Sequence, residues 1–236
     1  MSRIIFEQYF DQDTSTYTFL IADPKTREAA LVDSVRENVD SYKKRIEELG
    51  LNLIYLLETH VHADHVTGNG KLQDVFPKAK VGLSEKANVK FDHVPLADGS
   101  VLKVGDIEIK TFYTPGHTSE SITFLVDGNR LLTGDTMFID SCGRTDFQAG
   151  DSKNMYQSLQ RLAALPADTL VYPGHDYNKR WVSSIGEQLV TNKLLRMSEA
   201  EFIAELNSWN LPPPRKIRES VPANLLNGRT PAEARS

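Results

Sequence analysis

The spacing of apolar positions changes period along the first third of the chain. Residues 3–10 (RIIFEQYF), 15–23 (STYTFLIAD) and 28–34 (EAALVDS) are short runs rich in β-branched and aromatic side chains. The turn-forming stretches DQDT and DPKTR part them, and such bounded runs read as strands. The period then lengthens. Val39, Tyr42, Ile46 and Leu49 fall three and four apart, which predicts a helix over 37–50 closed by Gly50. LNLIYLLET (51–59) follows as a nearly continuous apolar run that suits a strand buried on both faces. It ends directly at His60.

The middle of the chain alternates short strands and turns: AKVGLS, SVLKVG, IEIKTFYTPG, SITFLVDG and RLLTGD. DSKNMYQSLQRLAALP (151–166) is helical, with Met155, Leu159, Leu162 and Leu165 on one stripe and Pro166 as a stop. DTLVYPGHD adds one more strand. SEAEFIAELNSW is a last helix with Ser198 and Glu201 as a capping box. The proline-rich tail from Asn210 reads as extended. Both halves run strands, helix, strand and then a histidine loop, which hints at a duplicated sandwich.

Composition narrows the function. The 236 residues are 40% apolar and 25% charged, which is ordinary globular usage. A net charge of −5 argues against a general nucleic-acid binder. No apolar run reaches the ~18 residues of a membrane span. The N-terminus lacks the basic start and apolar core of a secretory signal. Cys142 is the one cysteine, so no internal disulfide forms, and a reducing compartment is expected: cytoplasm, or the mitochondrial matrix for a processed eukaryotic protein.

Ligand chemistry is concentrated. THVHADH (59–65) holds His60, His62, Asp64 and His65, three of the chain's six histidines. Imidazoles and a carboxylate crowded at a strand end point to a metal. His117 follows a Pro-Gly turn in TPGHTSES, where Thr118 and Ser119 can bond locally. Asp135 in TGDT is either a ligand or a turn carboxylate. His175 in YPGHD repeats the Pro-Gly-His turn, and it is either a ligand or a histidine that orients one.

In this order and spacing, THVHADH, TPGHT, TGDT and YPGHD resemble the metallo-β-lactamase superfamily over nearly the whole chain. The resemblance implies an α+β fold, an αββα sandwich of two mixed sheets flanked by helices. It also implies a single domain over 1–236, with 192–236 a short C-terminal helix and extended tail and no fused rhodanese domain.

Two chemistries compete within that superfamily. A glyoxalase II-like thioester hydrolase would hold two metals, one on His60, His62 and His117, the other on Asp64, His65 and His175, with Asp135 bridging. However, CGRTDFQ (142–148) resembles the persulfide dioxygenase branch. Glyoxalase II enzymes typically carry lysine at the position of Arg144 and an aromatic at that of Asp146. The C-terminal residues LNSWNLPPPRKIRESVPANLLNG also look like that branch. This resemblance implies one Fe(II) per chain, held by His60, His117 and Asp135 as a two-histidine, one-carboxylate triad. The substrates would be glutathione persulfide and O2, and the products glutathione and sulfite. His62, Asp64, His65, His175, Asp176 and Thr118 would then orient the ligands. Arg144 would bind a glutathione carboxylate, unless it pairs with Asp146 or Asp176. Tyr177 would contact glutathione or simply pack. Cys142 would line the pocket or be a small buried hydrophobe. A homodimer and a separate sulfurtransferase are the expected partners.

Overall fold

The computed structural model describes residues 4–175, 179–230 and 233. The chain divides into two compact units, one of residues 1–96, 102–107 and 213–236, the other of 97–101 and 108–212.

In the first unit, β1 (Ile5–Asp11), β2 (Thr16–Ala22), β3 (Glu28–Val32), β4 (Asn52–Leu57), β5 (Lys80–Ser84) and β6 (Val94–Leu96) form a sheet in chain order. The first three strands are antiparallel hairpins. From β3 onward the pairing is parallel, so each connection must cross the sheet. The helix α1 (Val39–Glu48) makes the first crossing and α2 (Asn69–Val75) the second. Val39, Tyr42 and Ile46 are the buried face of α1. They pack in one cluster with Leu20, Leu31, Leu53, Leu56 and Leu72, and each such fully buried side chain is worth about 1.5–3 kcal/mol. Gly50 ends the helix at φ +60°, a conformation that glycine adopts freely.

The second sheet has the order β12-β11-β10-β9-β8-β7. Its strands are β7 (Val101–Val104), β8 (Ile107–Tyr113), β9 (Ile122–Val126), β10 (Arg130–Gly134), β11 (Leu170–Pro173) and β12 (Ser183–Ser184). β8, β9 and β10 are an antiparallel meander. β11 then pairs parallel to β10, and α3 (Ser152–Ala163) makes the crossing. Met155, Leu159 and Leu162 are buried in one cluster with Leu131, Val171 and Phe202. α4 (Ile185–Thr191) and α5 (Glu199–Asn207) complete this unit. Ser198 and Glu201 cap α5 reciprocally, as expected.

The structure adds elements that the apolar pattern did not announce. In α2 the one large buried apolar residue is Leu72, too little to set a period. In α4, Leu189 and Val190 face solvent. The tail expected to be extended contains α6 (Ile217–Asn224), with Pro222 inside it. Pro222 lacks the N–H for a bond to the carbonyl four residues back and crowds it, so the tail's prolines speak against a helix that forms nonetheless.

Candidate metal centre

Because β3 and β4 run parallel, their C-terminal ends lie side by side. Asp33 follows one and Thr59 the other. Asp33 Oδ1 accepts from Thr59 N at 2.8 Å, and its Oδ2 accepts from Thr59 Oγ1 at 2.9 Å. With its proton committed to Asp33, the Thr59 hydroxyl can only accept from His60 Nδ1, 3.0 Å away. That fixes the proton of His60 on Nδ1 and turns Nε2 outward as a lone-pair donor.

The other residues of the histidine loop are equally constrained. His62 Nε2 lies 3.1 Å from Asp33 Oδ1 and 2.9 Å from Glu58 Oε2, all three groups being buried. Burial opposes a charge on His62, but the carboxylates of Asp33 and Glu58 outweigh it and hold its pKa well above the usual histidine range. His65 Nδ1 bonds Asp64 Oδ2 at 2.9 Å, and the same oxygen accepts from Thr16 Oγ1 at 2.9 Å. The rings of His60 and His62 are 4.1 Å apart, and those of His62 and His65 4.3 Å. Candidate ligand atoms of His62, Asp64 and His65 lie within 4.8 Å of one another.

The second unit carries its own constellation. The Asp135 carboxylate lies between two imidazoles, Oδ2 being 3.5 Å from His117 Nε2 and Oδ1 3.4 Å from His175 Nε2. His117 Nδ1 donates to the carbonyl of Arg144 at 2.7 Å, which again places the proton on Nδ1 and offers Nε2. The ring of His175 meets Phe138 edge-on at 5.9 Å. Thr118 is fully buried. Its Oγ1 pairs with Ser121 Oγ at 2.7 Å, and its carbonyl accepts from Gly116 N at 3.0 Å, so it shapes the turn that aims His117.

The segment 142–148 is the frame of this constellation. Gly143 N donates to Asp135 O at 2.9 Å, and a Cβ on Gly143 would collide with that oxygen. Arg144, expected on a substrate carboxylate, has its guanidinium engaged within the protein. Nε and Nη2 bind Asp146 at 2.6 and 2.7 Å, Nη1 reaches Pro212 O at 2.6 Å, and Nη2 reaches Leu211 O at 3.2 Å. The pairing with Asp146 open to it in the sequence is the one it adopts, because Asp146 offers both oxygens to its planar fork. The Arg144 contribution to the constellation is its carbonyl. Cys142 is a small buried hydrophobe, the second of its two expected roles. It is buried among Leu131, Met137 and Met155, and burial pushes its thiol pKa far upward. Asp176 and Tyr177 lie outside the described residues.

Three participants were not anticipated. Asp33 was legible in principle, as a carboxylate at the C-terminal end of a strand parallel to the one bearing His60. Glu58 immediately precedes the histidine string. Asn224, which bonds the loop from α6, left no signal in the apolar pattern.

Two buried acceptor atoms in these constellations have no hydrogen-bond donor: His65 Nε2 and Asp135 Oδ1. Leaving such groups unsatisfied costs about 1–3 kcal/mol each, and a cation bound at either one would remove that cost. The nitrogen and carboxylate donors therefore fit a divalent transition metal.

A family profile, Metallo-beta-lactamase superfamily, matches residues 12–175. The chain belongs to the metallo-β-lactamase superfamily, and its two mixed six-stranded sheets with flanking helices are the α/β sandwich fold of that family. Its curated relatives include the mitochondrial persulfide dioxygenase ETHE1 of Homo sapiens and of Mus musculus. Each is 38% identical over 227 residues, covering 95% of this chain and 89% of the relative. The crystal structure of ETHE1 from Myxococcus xanthus is 43% identical and superposes with a TM-score of 0.92 over 95% of this chain and all of that one. A metallo-β-lactamase structure from Staphylococcus aureus is 29% identical with a TM-score of 0.87, covering 95% of this chain and 73% of that one. Within the superfamily, the chain groups with the persulfide dioxygenases.

Proposed function

We propose that the protein is a persulfide dioxygenase that converts glutathione persulfide, O2 and water to glutathione and sulfite. One observation carries the reading. Residues 142–148, the segment that distinguishes this branch in the sequence, supply the carbonyl that sets the His117 tautomer and the N–H that holds the backbone of Asp135. The likeness to ETHE1 proteins across nearly their whole length supports it.

The ligands are His60, His117 and Asp135, and the metal is one ferrous iron per chain. Bound there, Fe(II) supplies the redox step and open positions for sulfur and oxygen. The protein supplies geometry and charge. Thr59 and the Arg144 carbonyl hold the imidazole protons on Nδ1, so both rings present Nε2. A single carboxylate leaves a net positive centre that attracts a persulfide anion. His62, Asp64, His65 and His175 are assigned no metal of their own and a role in orienting the ligands and setting the charge around them. Arg144 acts through its backbone, Asp176 is assigned with the residues that orient the ligands, and Tyr177 is assigned to the glutathione side. A homodimer and a separate sulfurtransferase partner complete the proposal. Among the described residues no helix is long and apolar enough to cross a membrane.

One observation keeps the hydrolase as a second reading. Each Asp135 oxygen faces a different imidazole, the arrangement a carboxylate needs to bridge two metals. The two readings separate in one experiment: iron and zinc analysis of protein purified without added metal, with O2 uptake on glutathione persulfide and hydrolysis of S-lactoylglutathione. The dioxygenase predicts one iron and rapid uptake. Two zincs, thioester hydrolysis and no uptake would sink it.

A further inference from the structure

The C-terminal residue of α6 is a buried amide that the ligand set does not use. Asn224 is 6% exposed. Its Nδ2 donates to the carbonyls of His62 and His65, both at 2.9 Å, and its Oδ1 accepts from Thr67 N at 2.8 Å. The match is complete: two amide N–H groups serve two carbonyls and one carbonyl serves one N–H. Aspartate lacks both donors, serine has a single hydroxyl with a shorter reach, and glutamine would carry its amide one methylene too far. All three bonds fall on the six residues that follow His60 by two to seven positions.

The segment around Asn224 is held against the same region. Gly70 N donates to Asn227 O at 3.0 Å, and Lys90 N donates to Leu225 O at 2.9 Å. Arg36 Nη1 reaches Gly228 O at 2.8 Å, and Arg229 Nη2 reaches Gly70 O at 2.8 Å. Gly228 approaches Thr67 O so closely that a Cβ would collide with it. The tail is thus a strap, and Asn224 is the point at which it grips the histidine loop itself.

We propose that Asn224 is a positioning residue for the metal centre. It fixes the backbone of residues 62–67 and so sets where the side chains of His62, Asp64 and His65 stand around the ligand His60. The inference rests on the metal-centre reading of this loop. Without the amide, two buried carbonyls lose their donors. The loop must then turn them toward other partners, and the imidazoles on it turn as well.

The test uses the full chain carrying Asn224→Asp, which keeps the shape and the acceptor but removes both donors. Iron(II) affinity is measured by chelator competition, the Co(II)-substituted protein gives an absorption spectrum, and steady-state kinetics on glutathione persulfide give kcat and KM. The expected result is a metal affinity lower by about 10–100-fold, the range typical of partners that orient ligands. The Co(II) spectrum shifts and kcat falls, while KM stays at the wild-type value. A lowered melting temperature with unchanged metal affinity and Co(II) spectrum would show a merely structural role and overturn the proposal. If Asn224→Asp does not fold, Asn224→Ser introduces no charge and is read on the same three measurements. A wild-type protein that binds no metal overturns the centre itself. Wild-type binding with an unaltered variant overturns the role of Asn224 alone.

Discussion

Two oxygens decide which nitrogen each proposed ligand imidazole presents: Thr59 Oγ1 for His60 and the Arg144 carbonyl for His117. Removing a ligand and removing a neighbour should therefore differ in kind. His117→Ala is expected to lose iron and to lower activity by at least about 100-fold, since even the partners of ligands cost 10–100-fold. His175→Ala is expected to keep most of its iron. Elemental analysis of both variants against turnover checks the pair, and equal metal loss would argue for two metals. Gly143 gives a second prediction at this level. An alanine there drives its Cβ into the Asp135 carbonyl, so Gly143→Ala should cost about 1–3 kcal/mol in denaturant unfolding and weaken metal binding. The residue types of the ligands were plain in the sequence. The supports were not, because Arg144 and Thr59 act through atoms whose direction only the folded backbone sets.

Helices and strands divide by how much apolar surface each commits. α1 and α3 bury three-residue stripes at helical spacing, and both were legible. α2 and α4 commit little, and α6 carries a proline, so their apolar pattern is weak or misdirected. Their positions come from tertiary packing instead. The consequence for stability is direct. Leu159→Ala in α3 removes a fully buried side chain and should cost about 2–5 kcal/mol. Ser198→Ala breaks the capping box of α5 and should cost about 1 kcal/mol, with kcat and KM untouched because α5 carries no ligand. Chemical denaturation with parallel kinetics checks both. A fall in kcat from the cap variant would mean that α5 takes part in the site.

At the level of the whole molecule, acid stability tests a group far from the chemistry. Backbone N–H bonds from Asp106 and Lys25 hold the buried carboxyl of Asp23 below the usual carboxylate range. A pKa depressed by folding stabilises the native state above the unfolded pKa. That contribution is lost as the pH falls through the folded value, because the unfolded chain takes up the proton first. Asp23→Asn should therefore be less stable by about 1–3 kcal/mol at pH 7, with the gap to wild type narrowing at acid pH. A constant gap would refute the assignment. For function, the superfamily was announced by the histidine string, and the branch by a segment more than seventy residues later that frames His117 and Asp135. The claim of persulfide oxidation is tested most directly by the stoichiometry of the iron-loaded protein. Glutathione persulfide turnover should consume one O2 for each sulfite formed. Thiol release without O2 consumption or sulfite would contradict it.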